Sequence, residues 1–172
     1  MLRRPGLDSQ QTPGGGMKAI SLWEPWASLI RTGAKTRETR PWHTNYRGKL
    51  LICAAKGGLS KTALLTMLSY WEIQGGLAPL VGMPLSLDQK NNPRWPGVKI
   101  KDLNFGNAVA IVDLTDCKRT DYMTLEEIGT DKHFGNFSLG RYAWKLNLLE
   151  RISIFPVKGK QRFFEVPDSL IK

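Results

Sequence analysis

The sequence has few of the residues that proteins use to bind metals or to form crosslinks. It contains two cysteines and two histidines among 172 residues. These four are not spaced as zinc ligands, so we expect no metal and no other cofactor. We expect Cys53 and Cys117 to be ordinary buried thiols, and Cys53 stands between apolar residues. No apolar run approaches the roughly 20 residues that a membrane span requires, and the N-terminus has no apolar signal core. We therefore expect no membrane association and a cytoplasmic protein, or a nuclear one if its source is eukaryotic.

Acidic side chains are outnumbered by basic ones. The chain has 25 lysines and arginines against 15 aspartates and glutamates, a formal net charge of +10. This excess favours an anionic partner but does not bear on the fold. An apolar fraction of 41% allows a real hydrophobic core, and the length suits one domain.

Much of the positive charge lies in one aromatic segment, residues 20–47. Between residues 31 and 49 there are six cations and one acid, Glu38. The net charge of this stretch is therefore +5, half of the +10 of the whole chain. Three of the six tryptophans and Tyr46 lie in the same segment. Aromatic faces among cations suit a partner that is planar and anionic, as nucleic acid is. The alternative is that the tryptophans are core residues and the cations form a solvated face.

Composition divides the chain into a tail and a domain. Residues 1–16 contain proline, glutamine and a glycine triplet with almost nothing to bury, which predicts a flexible tail. The domain is predicted at 17–172. Prolines and glycines recur through residues 75–104, and we expect an irregular insertion there that serves as a lid or flap over a site.

Three helix starts are recognisable. The Glu-Pro pair at 24–25 predicts a short helix that ends at Gly33. Ser60 is a predicted N-cap for a second helix, whose buried stripe extends to Trp71. Thr124 begins a pattern that resembles a capping box.

The predicted strands are short and do not alternate strictly with helices, which excludes a doubly wound fold. They lie at residues 18–22, 35–40, 49–55, 107–114, 141–148 and 152–155. The strand at 107–114 is the most apolar and is expected to be central. We predict an α+β, mainly β fold: a small β-barrel closed near residues 163–164, with two or three short helices covering its ends.

Several motifs carry a resemblance to a known family. The segment GAKTRETR at 33–40 is similar to the GxKxxExR signature of the ASCH (activating signal cointegrator homology) domain, which belongs to the PUA-like superfamily. SLWEPWA at 21–27 resembles the opening block of that family, with Glu24 where glutamine is common. RGKLLICA at 47–54, VDLTDC at 112–117 and PVKGK at 156–160 resemble later blocks, in the same order. The resemblance covers roughly residues 17–167.

The resemblance implies a PUA-like barrel with a cleft beside the first helix, lined by the signature residues. It also implies binding of RNA or another nucleic acid, in RNA metabolism, translation or transcription regulation. Some members are enzymes that act on RNA or on modified nucleosides. In the amidohydrolase branch, a lysine and a threonine lie three residues apart in this segment. Here Lys35 matches the lysine but Glu38 stands in place of the threonine, which argues against transferring the deacylase chemistry directly.

The signature residues have definite chemical uses. Lys35 can neutralise a phosphate, and Arg40 and Arg47 can bind one through two nitrogens. The two-residue period of a strand places Glu38 and Arg40 on one side, and we expect Lys35 in the preceding turn. Glu38 either orients Arg40, accepts hydrogen bonds from a base, or acts as a general base beside Lys35. A surface charge is the alternative for each cation.

Aromatic and outlying residues complete the predicted site. Trp42 and Tyr46 either stack on bases or plug the barrel end, and Trp23 stands at the strand–helix corner. Trp26 is expected in the core. Asp113, in the apolar central strand, is expected to pair with Lys35 or Arg40, or to face the cleft as a second acid. The predicted nucleic-acid-binding residues are Trp23, Lys35, Glu38, Arg40, Trp42, Tyr46, Arg47, Lys56, Lys158, Lys160 and Arg162.

These observations favour a nucleic-acid-binding module, with single-stranded or modified RNA as the expected ligand. The first alternative is a metal-independent hydrolase acting on RNA or a modified nucleoside, with Lys35, Glu38 and Asp113 as its catalytic residues. The second is a protein-interaction module that uses an apolar face at residues 63–71. Whether the protein is an enzyme stays open at this point.

Overall fold

The computed structural model describes residues 15–86 and 96–171. Most of the predicted tail and part of the predicted insertion therefore lie outside the described residues. The strands within the described part are β1 Gly16–Leu22, β2 Arg37–Arg40, β3 Gly48–Ala54, β4 Asn107–Arg119, β5 Tyr142–Glu150, β6 Phe155–Pro156 and β7 Phe163–Pro167. The α-helices are α1 Trp26–Thr32, α2 Lys61–Met67, α3 Trp71–Leu77 and α4 Leu125–Ile128. Short 3-10 turns lie at Ala78–Val81, Ile100–Asp102, Thr120–Tyr122, Gly129–His133 and Asp168–Leu170.

All seven described strands belong to one mixed sheet. Their order is β2-β5-β4-β3-β1-β7, and the short β6 pairs with β4. Only β1 and β3 run parallel among the described pairings, and the other pairs are antiparallel. The α+β class is thus confirmed, and β4 is central as expected.

The sheet is curled but not closed by hydrogen bonds. No pairing among the described residues joins β2 to β7, so these two strands are edges and the predicted closed barrel is not found. In a flat sheet β5 and β7 would be roughly 19 Å apart, at about 4.8 Å per strand. The rings of Trp144 on β5 and Phe163 on β7 nevertheless stack with centroids 5.4 Å apart. The sheet therefore bends strongly, and side-chain packing fills the gap that hydrogen bonds do not bridge.

The core has one cluster inside the curled sheet and another beneath the helices. Leu50, Val112 and Trp144 lie fully buried in the first cluster, whereas Leu29 and Phe134 belong to the second. A further cluster of buried residues on the other side of the sheet joins β1, β3 and β7. Helix α1 lies between the first two clusters and contributes to both, which fixes it against the end of β1.

The local signals for the helices were largely reliable. Gly33 ends α1 with φ of 87°, a left-handed conformation that suits glycine, and its N–H donates to Ile30 O at 3.0 Å. Ser60 caps α2 by accepting from Ala63 N at 3.1 Å. The predicted capping box at Thr124 is present at α4. The prediction that the buried stripe of α2 extends to Trp71 is wrong, because α2 ends at Met67. Trp71 begins α3 instead and is 41% exposed.

The described part of residues 75–104 contains the end of α3 and two 3-10 turns, and the rest of it has irregular backbone. The insertion expected there stays a prediction. Gln74, just before this segment, is buried and ties the end of α2 to Val98, donating to Leu68 O at 2.6 Å and Val98 O at 3.1 Å and accepting from Val98 N at 2.7 Å. This region packs against α1 as part of the core. No helix in the described part of the chain is long and apolar enough to cross a membrane.

Candidate nucleic-acid interface

Two cavities meet at the C-terminal end of β1. The first, which we call the inner pocket, has a volume of about 470 Å³. The second, the basic groove, has a volume of about 890 Å³. The inner pocket is lined by Ser21, Leu22, Trp23, Trp26, Lys35, Glu38, Thr39, Arg40, Pro41, Met67, His133, Phe134, Gly135, Asn136 and Arg141. The basic groove is lined by Ser21, Trp23, Arg40, Trp42, Ala55, Lys56, Gly57, Gly106, Pro156, Val157, Lys158, Gly159, Lys160, Gln161 and Arg162. Ser21, Trp23 and Arg40 line both cavities, so the two cavities adjoin.

Lys35 forms a buried cationic end of the inner pocket. After the left-handed turn at Gly33, Lys35 N donates back to Leu29 O at 3.1 Å, which turns the chain under α1. The side chain is about 1% exposed, and its Nζ donates to Phe134 O at 2.7 Å. Nζ also lies 3.4 Å from Glu38 Oε2. Burial lowers the pKa of Lys35, and this effect outweighs the attraction of Glu38 and Asp131.

Glu38 joins the two signature cations. Its other oxygen, Oε1, lies 2.9 Å from Arg40 Nε, as an ion pair without hydrogen-bond geometry. Arg40 Nη2 donates to Ser21 O at 3.1 Å, so the guanidinium bridges β2 and the end of β1. The expected placement of Glu38 and Arg40 on one side of the strand, with Lys35 in the turn before it, is confirmed. Glu38 holds the cations in place and still presents a carboxylate to the pocket.

An acid that sequence reasoning missed anchors the start of β2. Asp131, in the 3-10 turn at Gly129–His133, is 2% exposed. Its Oδ1 accepts from Thr36 N at 2.8 Å and from Arg37 N at 3.2 Å. Its Oδ2 accepts from Thr36 Oγ1 at 2.6 Å and from Arg37 Nη1 at 3.3 Å. No local signal could have found this residue, because its partners lie about 95 positions away in the chain.

Asp113 does not have the predicted role. It lies on β4 opposite Lys49 and beside Tyr46. Burial, with a smaller contribution from the charge of Asp113, raises the pKa of Tyr46. Among the described residues Asp113 forms no ion pair with Lys35 or Arg40 and lines neither cavity, so the expected pairing is wrong.

The aromatic residues divide into two groups. Trp23 is 53% exposed at the junction of the two cavities, and Trp26, expected in the core, is half-buried and also lines the inner pocket. Trp42 instead packs edge-on against Trp144, with centroids 4.6 Å apart, and lines the groove with what remains of its surface. Tyr46 packs on Phe163 and donates to Lys49 O, and it lines neither cavity. The plug interpretation therefore describes Tyr46 and most of Trp42.

The cations predicted to bind nucleic acid also fall into two groups, those that line the basic groove and those that do not. Five of them line the basic groove, namely Arg40, Lys56, Lys158, Lys160 and Arg162, and no acid is among the described residues that line it. The Arg162 guanidinium lies 5.6 Å from the centre of the Trp42 ring, a cation–π arrangement. Arg47 is not part of this set. It donates to Thr44 O and Tyr46 O, lies 3.7 Å from Asp116 Oδ1, and lines neither cavity.

Unpaired polar atoms are concentrated at the inner pocket. Four buried side-chain atoms in the described part of the chain lack a hydrogen-bond partner, and three of them belong to residues that line this pocket. They are Ser21 Oγ, Arg40 Nε and Arg141 Nε; the fourth is Trp144 Nε1. Because Arg40 Nε already forms an ion pair with Glu38, Ser21 Oγ and Arg141 Nε are the two atoms at this pocket that the other described residues leave without a partner.

Comparison with known proteins gives the family. The model of the ASCH domain matches residues 20–157, most of the chain. The protein belongs to the ASCH domain family, and the resemblance noted in its motifs is confirmed.

Among solved structures, a crystal structure of a ZmASCH point mutant from Zymomonas mobilis is similar at 12% sequence identity. The match covers 91% of this chain and 99% of that one, with a TM-score of 0.46. No curated protein matches in sequence.

Proposed function

We propose that this protein binds RNA or another single-stranded nucleic acid, with one nucleotide in the inner pocket and the adjoining backbone along the basic groove. The observation that carries the proposal is that the two cavities adjoin and share Ser21, Trp23 and Arg40 in their linings. One cavity offers a partly enclosed space with a carboxylate and unpaired donors. The other is lined by five cations and, among the described residues, no acid, which suits a polyanion. The proposal includes binding of modified nucleotides by this protein. It also includes a role in RNA metabolism, translation or transcription regulation.

The charge of the groove supports a backbone contact. Within the described residues, Lys56, Lys158, Lys160 and Arg162 form no ion pair with an acid. Their charges are therefore available to phosphates, and each phosphate contact releases condensed counterions.

Trp23 supports the entry of a base at the junction. Its ring is more than half exposed where the inner pocket and the groove meet. A large exposed aromatic side chain at this point gives a base a surface to stack on as the strand passes from groove to pocket. The pocket volume lies within the range of ordinary small-ligand sites, which suits a single nucleotide.

Salt dependence of binding tests the proposal. With four unpaired groove cations at about 0.7 per phosphate contact on a single strand, log Kobs should fall with log salt with a slope of about −3. A fourfold rise in salt then weakens binding by about 50-fold. Fluorescence anisotropy with labelled oligoribonucleotides and oligodeoxyribonucleotides measures the slope and compares the two sugars.

Matched double variants locate the contact. The change Lys158→Ala/Lys160→Ala should halve the slope because it removes two of the four cations. Lys101→Ala/Lys145→Ala removes the same charge at exposed positions that line neither cavity, and should change the slope little. A slope near zero for the unmodified protein, or equal losses in the two double variants, would count against the proposed interface.

A hydrolase acting on RNA or a modified nucleoside is the second candidate. The observation in its favour is the buried Lys35, whose lowered pKa brings its amine nearer to a neutral, basic form beside Glu38 and next to a pocket. Turnover that Glu38→Gln abolishes while binding persists would support it. Long incubation of labelled RNA and acylated nucleosides without any product, followed by mass spectrometry, would dispose of it.

A further inference from the structure

The polar groups of the inner pocket differ in what they require of a ligand. Glu38 offers a carboxylate, which only accepts hydrogen bonds. Each of its oxygens contacts one cation, Lys35 or Arg40, and each retains a further acceptor site. A ligand that fits must therefore present donors to Glu38.

Arg141, in contrast, requires the ligand to present hydrogen-bond acceptors. Its Nη2 donates to Thr39 O at 3.0 Å, which holds the guanidinium beside β2. Its Nε is buried and, within the described residues, has no hydrogen-bond partner. Arg141 lies just before β5, whose Trp144 is paired with Glu38 on β2. Glu38 and Arg141 both line the inner pocket, whose volume of about 470 Å³ is large enough to hold a purine base.

Guanine is the common base that offers this arrangement. Its N1–H and N2 amine are adjacent donors on one edge, and O6 and N7 are adjacent acceptors on another. Adenine and cytosine place a ring-nitrogen acceptor beside their amine. The lone pair of that ring nitrogen would face the lone pairs of the carboxylate, which is repulsive. Uracil has a single N–H between two carbonyl oxygens. Arginine binds the O6 and N7 atoms of guanine through two nitrogens, the commonest specific contact to a base.

We propose that the inner pocket selects guanine, with Glu38 accepting from N1–H and the N2 amine and Arg141 donating to O6 and N7. This inference rests on the proposed nucleic-acid binding and adds the identity of the base. Arg141 is then a specificity-determining residue on a part of the chain that the signature motif does not include. Trp26, half-buried in the same pocket, provides an apolar surface for the ring.

The test uses labelled oligouridines that carry one central guanosine, adenosine or cytidine, together with the unsubstituted oligouridine. The guanosine oligomer should bind about tenfold more tightly than the others or better, the usual discrimination of a two-point base contact. Inosine removes the N2 amine and 7-deazaguanosine removes N7, so each should lose a large part of the preference. These comparisons use the unmodified protein and do not depend on any variant folding.

Variants then assign the contacts. Glu38→Gln should abolish the preference for guanosine over inosine, and Arg141→Lys should reduce the preference for guanosine over 7-deazaguanosine. Lys160→Ala, in the groove, should weaken all oligomers by the same factor and serves as the control.

The outcomes separate the two proposals. Equal affinity for all four oligomers, with steep salt dependence, overturns guanine selection and leaves nucleic-acid binding in place. Tighter binding of another base, or a guanosine preference that persists in both variants, overturns the assignment to Glu38 and Arg141. No binding of any oligomer at low salt removes the proposed function and this inference with it.

Discussion

Replacement of Asp131 by asparagine should destabilise the protein although this residue lies outside the signature motif. Its buried carboxylate accepts four hydrogen bonds from Thr36 and Arg37 at the start of β2. Asparagine keeps one oxygen for the two backbone N–H groups. Its amide nitrogen, however, faces Thr36 Oγ1 and Arg37 Nη1, where only the hydroxyl can reorient to accept.

The magnitude follows from these contacts. Hydrogen bonds to a charged acceptor contribute about 1 kcal/mol more than those to a neutral one, so the two backbone bonds weaken by about 2 kcal/mol in total. Loss of the partly buried Arg37 pair adds up to about 1 kcal/mol. We expect the free energy of unfolding to fall by about 2–3 kcal/mol, which for a chain of this length lowers Tm by roughly 5–10 °C.

Thermal and urea denaturation of the Asp131→Asn variant measure this loss. Asp168→Asn makes the same chemical change at an exposed position, and should stay within about 0.5 kcal/mol of the unmodified protein. If the two variants unfold at the same temperature, Asp131 does not anchor β2 and the account of how Lys35 and Glu38 are positioned is wrong.

Two further outcomes are expected. Glu24 is buried, and burial raises its pKa despite three hydrogen bonds that favour the charged form. A carboxyl with a raised pKa in the folded state loses its stabilising contribution as pH rises through the window above its ordinary value of about 4.5. As the pH rises from 4, the unmodified protein should therefore lose free energy of unfolding relative to Glu24→Gln. Urea denaturation at several pH values measures this difference, and a difference independent of pH would contradict the prediction. In the groove, a Cβ at Gly159 would overlap Ser21 Oγ, so Gly159→Ala should displace the loop and weaken RNA binding several-fold in the anisotropy assay. Gly57→Ala, in the same groove at a position where an added Cβ would have nothing within 4 Å, should bind normally, and equal binding by both variants would refute the steric argument.

Short-range signals in the sequence predicted the elements near the site well. The Glu-Pro start and Gly33 stop of α1, the Ser60 cap and the Thr124 capping box each depend on contacts within a few residues. The two-residue period of β2 likewise placed Glu38 and Arg40 together. The motifs identified the family, because they preserve such local patterns in order.

Longer-range arrangements were predicted poorly. Asp113 was taken for the second acid because it interrupts an apolar strand, whereas the acid that approaches Lys35 is Asp131. Gln74 joins Leu68 to Val98 through hydrogen bonds that no local pattern predicted. Arg47 has the right charge and lies in the right segment, but its own loop carbonyls and Asp116 engage it away from both cavities.

The sequence by itself determined the family, the class of fold, the positive charge and the order of the chemically active residues along α1 and β2, since each of these depends on composition or on neighbours in the chain. Only the tertiary structure decided which of them share a cavity. The pairing of β2 with β5 brings Arg141 to Glu38 across about 100 residues, and the curl of the sheet sets the loop after β6 beside the end of β1. No local pattern encodes these contacts, because they arise from the simultaneous packing of several strands around one core.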